Sequence, residues 1–518
     1  MKRFLAVLLV GAMAVSVLAG CGGDNTSTTK SSKEKQESSQ EAANNTSTES
    51  YNVVMQWPTV GEAPAGLQNV EEAINAITEP EIGVTVTLEP VNAFNLANET
   101  ALTISSGDKL DLCLSLISGV GSLVNTGSII PLDDLYAKYG NDIKEDCGIR
   151  IKGGYYGDTL YSIPIAYITG EEFGYVCRTD MLDKYGITID ENKVYSWEEL
   201  GEIFAKVKKG EESSFYCIGG TSKGSDLFNT LYAYDALGAS AASGVLMLGD
   251  DFTSTTVVNL YETEEYKRFA ETMYDWAQKG YFSADASTNT EAGQEMVKGG
   301  NYLGWFPGTC SGGSDDFTAM TGMDMTVIKT VPGCSVTSLF TGILWSIPTT
   351  SENPEKAMEF LNYMYKDNRI STLLQCGIEG QDYVIVEQNE MGTLIDTPEG
   401  LDSDTITYSQ RFGVYGNRLE WPIFVPNSID YNDRMKKFSD TVKNISPALG
   451  YNFIIDNVSS EYSAVSSVIS QYQGILNCGA VDPAVELKEF NQALKDAGID
   501  KVIAENQGQL NNWLKNNK

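Results

Sequence analysis

A chain of 518 residues with 70 acidic against 36 basic side chains carries a formal charge of −34. Such a surplus of carboxylates repels phosphate backbones and anionic headgroups, which makes nucleic acid and acidic membrane surfaces poor partners. No histidine occurs anywhere, which excludes Ser-His-Asp and Cys-His catalysis and the commonest zinc ligand set.

The chain opens on Lys2 and Arg3, then an apolar run from Phe4 to Val17, then Leu18-Ala19-Gly20-Cys21. A positive end, an apolar stretch too short to span a membrane and small residues before a cut make residues 1–20 a secretory signal peptide. Leucine, two small residues and cysteine resemble the lipobox of bacterial lipoproteins, which implies lipidation of Cys21. Gly22 to Ser50 is almost wholly polar and has too little apolar surface to offset ordering entropy. It reads as a tether with a span of roughly 30 Å. Tyr51 to Lys518 is too long for one core and calls for two lobes. Cysteines 113, 147, 177, 217, 310, 334, 376 and 478 form no CxxC pair, and their scatter reads as buried free thiols.

In chain order, Tyr51–Gln56 reads as a buried strand ending at Trp57-Pro58, and Leu67, Val70, Ile74 and Ile77 recur at helical spacing. Gly83–Leu88 alternates as a strand, a helical stretch follows, and Lys109–Leu116 is a third strand before a helix over 131–139. Strand, helix, strand is the grammar of a mostly parallel sheet, whose ligands sit at strand carboxyl ends. Phe173–Arg178 is a further strand. Ser196-Trp197-Glu198-Glu199 forms a capping box, Asp226–Leu237 reads as an aromatic helix, and Tyr261–Lys279 as another ended by Gly280. Asn301–Phe306, Met325–Thr330 and Gly342–Ile347 are strands. Asn353-Pro354 and Asp482-Pro483 each start a helix, with proline at the first helical position, and a last helix carries Val502, Leu510 and Trp513. Asp402-Ser403-Asp404 lacks the glycine and distal glutamate of a calcium loop.

The lipobox, Ser106-Gly107-Asp108, Leu160-Tyr161-Ser162-Ile163-Pro164, the run 176–182, Ser196–Leu200 and the run 347–365 occur in this order. Together they resemble the family 1 extracellular solute-binding proteins of carbohydrate ABC importers, and 479–514 is similar to the tail of a larger Gram-positive subgroup. The resemblance implies an α/β, two-lobe periplasmic-binding-protein-like clamp. Each lobe would be a mostly parallel sheet flanked by helices, with several hinge crossings. The first lobe would hold 51–166 plus 327–370 and the second 167–326 plus 371–518. It implies a lipid-anchored monomer on the outer face of the cell membrane. This would be no enzyme and would use no cofactor or metal; it would capture a carbohydrate by hinge closure and deliver it to permease subunits. A receptor for peptides or other polar metabolites and a surface glycoside hydrolase remain as alternatives; the latter needs two carboxylates flanking the bond.

Sugars are held by flat apolar rings with fixed acceptors and donors. The candidates are Trp57 at the end of the first strand, Tyr167 and Glu171 at the first inter-lobe crossing, Asp226 and Phe228, Trp305 between glycines, Arg418 and Trp421. Glu172 is the natural confuser of Glu171, and Asp226 can equally cap a helix. Trp345, in mid-strand, reads as core. Trp305→Ala is expected to abolish or strongly weaken sugar binding with the fold intact.

Overall fold

The strand Tyr51–Thr59 runs on through Trp57-Pro58 and pairs in parallel with Val84–Asn92, from Tyr51 opposite Val84 to Thr59 opposite Asn92. This computed structural model describes residues 50–59, 62–116, 120–220, 227–238, 240–401, 405–410 and 412–516. Cys21, the signal peptide and nearly all of the tether lie outside them, as do Asp226 and Asp402-Ser403-Asp404. Helix Leu67–Ile82 joins the two strands and buries Val70, Ile74 and Thr78. Gly83 ends that helix at φ +63°, a left-handed turn that a side chain would strain. The third strand, Cys113–Leu116, is tied to the first by a parallel bridge between Met55 and Leu112. Ile343–Ser346 closes this sheet antiparallel to it, with Ile163–Pro164 beyond.

Helix Pro354–Lys366, capped by Asn353, lies over these strands, and Trp345, Phe360, Tyr408, Val414, Tyr415 and Trp421 share their core. The expected assignment of everything after 371 to the second lobe therefore separates Tyr408 to Trp421 from the core in which they pack.

The second lobe is built on a five-stranded sheet in the order Asn444–Ile445, Met325–Ser335, Glu171–Arg178, Tyr302–Trp305, Tyr216–Gly219. Glu171–Arg178 runs antiparallel to both neighbours, whereas the outer pairs are parallel. The expected boundary at 327 falls inside the longest of these strands. Helices Trp197–Gly210 and Glu264–Gln278 pack on one face, the former held by the reciprocal Ser196–Glu199 cap. The helix expected over 226–237 is instead a short 3₁₀ turn, Leu227–Thr230, and a strand, Tyr234–Ala236, paired with Val245–Met247. Asp235 decides this: its buried carboxylate accepts from the N–H and the hydroxyl of Thr337, at 3.1 and 2.8 Å, so long-range bonding outweighs local propensity. The C-terminal helices Pro483–Ala497 and Ile499–Asn516 meet at Gly498 and close the lobe.

All eight described cysteines are buried and unpaired by disulfides. Burial pushes the Cys113, Cys147 and Cys217 thiols up to about 12.

Candidate functional site

The chain passes between the two cores three times, over 166–173, 336–344 and 421–448. The first passage is stitched to the stretch that leads into the third: the Ala166 N–H donates to the Gly416 carbonyl at 3.1 Å and the Arg418 N–H donates to the Ala166 carbonyl at 2.9 Å. Gly416 has φ +50°, and a Cβ there would lie 2.2 Å from the Met364 carbonyl oxygen, so only glycine fits.

Arg150 holds the first two passages. It is 3% exposed, and its guanidinium donates from Nε to the Ile165 carbonyl at 2.9 Å, from Nη1 to Ile168 at 2.7 Å and from Nη2 to Leu339 at 2.9 Å. It also lies over the Phe340 ring, 5.1 Å from its centre. One fork thus satisfies three carbonyls that the crossing leaves without ladder partners. Desolvation lowers its affinity for the proton to a pKa of about 10.

Glu171 opens the central strand of the second lobe beside this fork. Its carboxylate makes no hydrogen bond among the described residues. Burial pushes it from 4.5 up to about 7, against the opposing pull of Arg150. Glu172 differs: its carboxylate is ion-paired with Lys329 at 3.3 Å. Phe173, Asn229, Tyr232, Tyr234 and Ser338 join Glu171 around a recess of about 70 Å³. Nearby, Arg418 lies 4.2 Å over the Tyr167 ring, and the hydroxyls of Tyr167 and Tyr431 are 3.3 Å apart. The structure therefore gathers Tyr167, Glu171 and Arg418 at the crossings. Tyr167, Arg418 and Tyr431 touch one another there, and Glu171 follows Tyr167 by four residues on the same passage.

The other candidates are placed elsewhere. Trp57 is 2% exposed, and its Nε1–H donates to the Tyr408 hydroxyl at 2.9 Å, inside the first-lobe core. Phe228 is enclosed by Tyr232, Tyr234, Tyr266 and Phe269. Trp305 is 4% exposed, edge-on to Phe317, and shields Gly293, whose Cβ would meet the indole at 2.5 Å. Trp421 is buried with the first-lobe core and lines an outer groove with Asn432 and Lys436. In this conformation none of the four presents an open ring face to the crossings. Trp345 is core, as expected, with its Nε1–H on the Val414 carbonyl.

Three residues escaped sequence reasoning. Arg150 and Tyr431 carry no local signal. Phe94 is 85% exposed just past the carboxyl end of Val84–Asn92. A bare ring at a strand end is a stacking surface, and the carboxyl-end rule points to it. Among the described residues no cluster of acidic or thiol side chains is arranged to hold a metal ion, and no helix is long and apolar enough to cross a membrane.

Residues 65–368 match the family model described as bacterial extracellular solute-binding protein, and residues 447–515 match a domain of unknown function, DUF3502. A curated relative, a carbohydrate ABC transporter substrate-binding protein of Streptococcus pneumoniae, is 25% identical over 90% of this chain and 92% of its own length. Among solved structures, the N-glycan transport solute binding protein NgtS of the same organism aligns at a TM-score of 0.74 and 24% identity, covering 90% of this chain and 100% of that one. Its complex with Man5GlcNAc aligns at 0.65, with 24% identity and coverage of 90% and 99%. An HMO binding, ABC-transporter associated solute binding protein of Bifidobacterium longum infantis aligns at 0.62 and 14% identity, covering 89% of this chain and 98% of that one.

Proposed function

We propose, on the premise that the chain belongs to the bacterial extracellular solute-binding proteins, that it captures a carbohydrate, an oligosaccharide, between its lobes and delivers it to an ABC permease. The observation that carries this reading is Glu171. It is a carboxylate without a hydrogen-bond donor, beside phenols and an amide, where the chain passes from one lobe to the other. Sugar hydroxyls are the donors such an acceptor lacks, and phenol and phenyl faces suit the C–H faces of pyranoses. Tyr167, Glu171 and Arg418 form the centre of the site, with Phe94 offering a ring from the first lobe. Names of the relatives above, which mention carbohydrate and N-glycan transport, support the same ligand class.

A ligand shifts a two-state hinge only through tighter binding to one state. Contacts from both lobes supply that difference, since they form together only on closure. Cleavage before Cys21 and its lipidation would hold this monomer at the outer face of the cell membrane, where two acyl chains suffice for stable anchoring. The protein would act without catalysis, cofactor or metal.

The test is uptake without turnover. Incubation with neutral oligosaccharides should leave them intact while raising the melting temperature and reducing the radius of gyration in solution scattering. Shortened sugars would favour a hydrolase. A molecule of one shape with no melting shift for any glycan would remove the clamp reading.

A further inference from the structure

A cavity of about 410 Å³ lies beside the Glu171 recess, on the other side of the short helix Thr337–Thr341. Ser338 of that helix lines the recess, whereas Thr337 and Thr341 line the cavity. Its walls come from both lobes. The first contributes Asn125 and Tyr156; the second contributes Ser243 and, from the segment matched as a domain of unknown function, Phe453, Asp456 and Tyr462. Asn125 bridges them, accepting from the Tyr156 hydroxyl at 2.8 Å and donating from Nδ2 to Asp456 at 2.6 Å. The Ser243 hydroxyl is buried with no partner among the described residues. No described lining residue is a lysine or an arginine.

Phenol and phenyl faces for C–H surfaces, amide and hydroxyl groups at the rim, one carboxylate and no cation describe a site for an uncharged polyol. A uronic or sialic acid would bring its carboxylate to Asp456 with nothing to neutralise either charge. We propose that this cavity is a second sugar subsite, taking one neutral pyranose of the captured glycan. The inference rests on the carbohydrate reading above. It gives the 447–515 segment a role: that segment forms a wall that measures glycan length and rejects acidic sugars.

The test uses the full chain, Man1GlcNAc and Man5GlcNAc as probes, and calorimetry. Ser122 is exposed at the cavity rim, so Ser122→Trp fills the space from outside without touching a core. The expected result is a loss of at least tenfold in affinity for Man5GlcNAc, a change of less than twofold for Man1GlcNAc, and a smaller loss for the long glycan in Asp456→Asn. Glu171→Gln should weaken both probes, which separates the two sites. Equal losses for both glycans in Ser122→Trp, or none for either, would overturn the subsite. Wild-type protein that binds neither probe would overturn the carbohydrate reading and this subsite with it. Tighter binding of a sialylated than of a neutral glycan would refute the selectivity.

Discussion

Replacing Glu171 by glutamine separates what this side chain costs the fold from what it gives the ligand. In the folded chain its carboxyl titrates at about 7 rather than 4.5. Between those values the folded protein holds a proton that the unfolded chain has lost, so stability falls as pH rises through the window. At about 1.4 kcal/mol per pH unit, full desolvation would cost about 3 kcal/mol. The residue is half-buried, and solvent screening brings this to about 1–3 kcal/mol at pH 8. Glu171→Gln should therefore be more stable than the parent by that amount at pH 8 and equal to it near pH 4, as measured by urea midpoints. Binding should move the other way. Hydroxyls that donate to the carboxylate favour its charged form, so binding releases a proton and the parent's affinity rises from pH 5 to 8. The glutamine variant should lose tenfold or more at pH 8 and show no such rise. A stability gap independent of pH, or a variant less stable at pH 8, would refute the reasoning.

Arg150→Met should destabilise by about 3–5 kcal/mol in denaturant titration, because three buried carbonyls lose their donor at once. It should also push the Glu171 carboxyl further up, shifting the pH dependence of binding to higher pH. Trp305→Ala should cost about 3–5 kcal/mol of stability, since the indole fills a buried site between Phe317 and Gly293. This replaces the expectation of an intact fold, and an unchanged urea midpoint would contradict it. The eight buried cysteines should be silent to a thiol reagent in the native protein and all react on unfolding; fast native labelling of several would show that the packing is wrong.

The helix starts were plain in the sequence because their signals are local. Ser196 with Glu199, Asn353 before Pro354, and Asp482 before Pro483 with Gly498 beyond all act within one or two turns. The place of Glu171 at a crossing was legible for a different reason: its position in an ordered series of motifs. Arg150 was not, because its three acceptors lie 15, 18 and 189 residues away and nothing beside it in sequence announces them. Aromatic candidates divided along the same line. A tryptophan at a strand end has the same neighbours in sequence whether it turns to solvent, as Phe94 does, or inward, as Trp57 and Trp305 do. The mistaken helix at 226–237 failed likewise, since Thr337, which claims the Asp235 carboxylate, is 102 residues downstream.

Sulfur chemistry bears on motion here. Each described cysteine is buried and makes no disulfide, so among the described residues no covalent brace runs from one half to the other. Resistance to the proposed closure would then reside in backbone torsions at the three passages, in the clasp around Arg150 and in the Asn125–Asp456 hydrogen bond between the lobes.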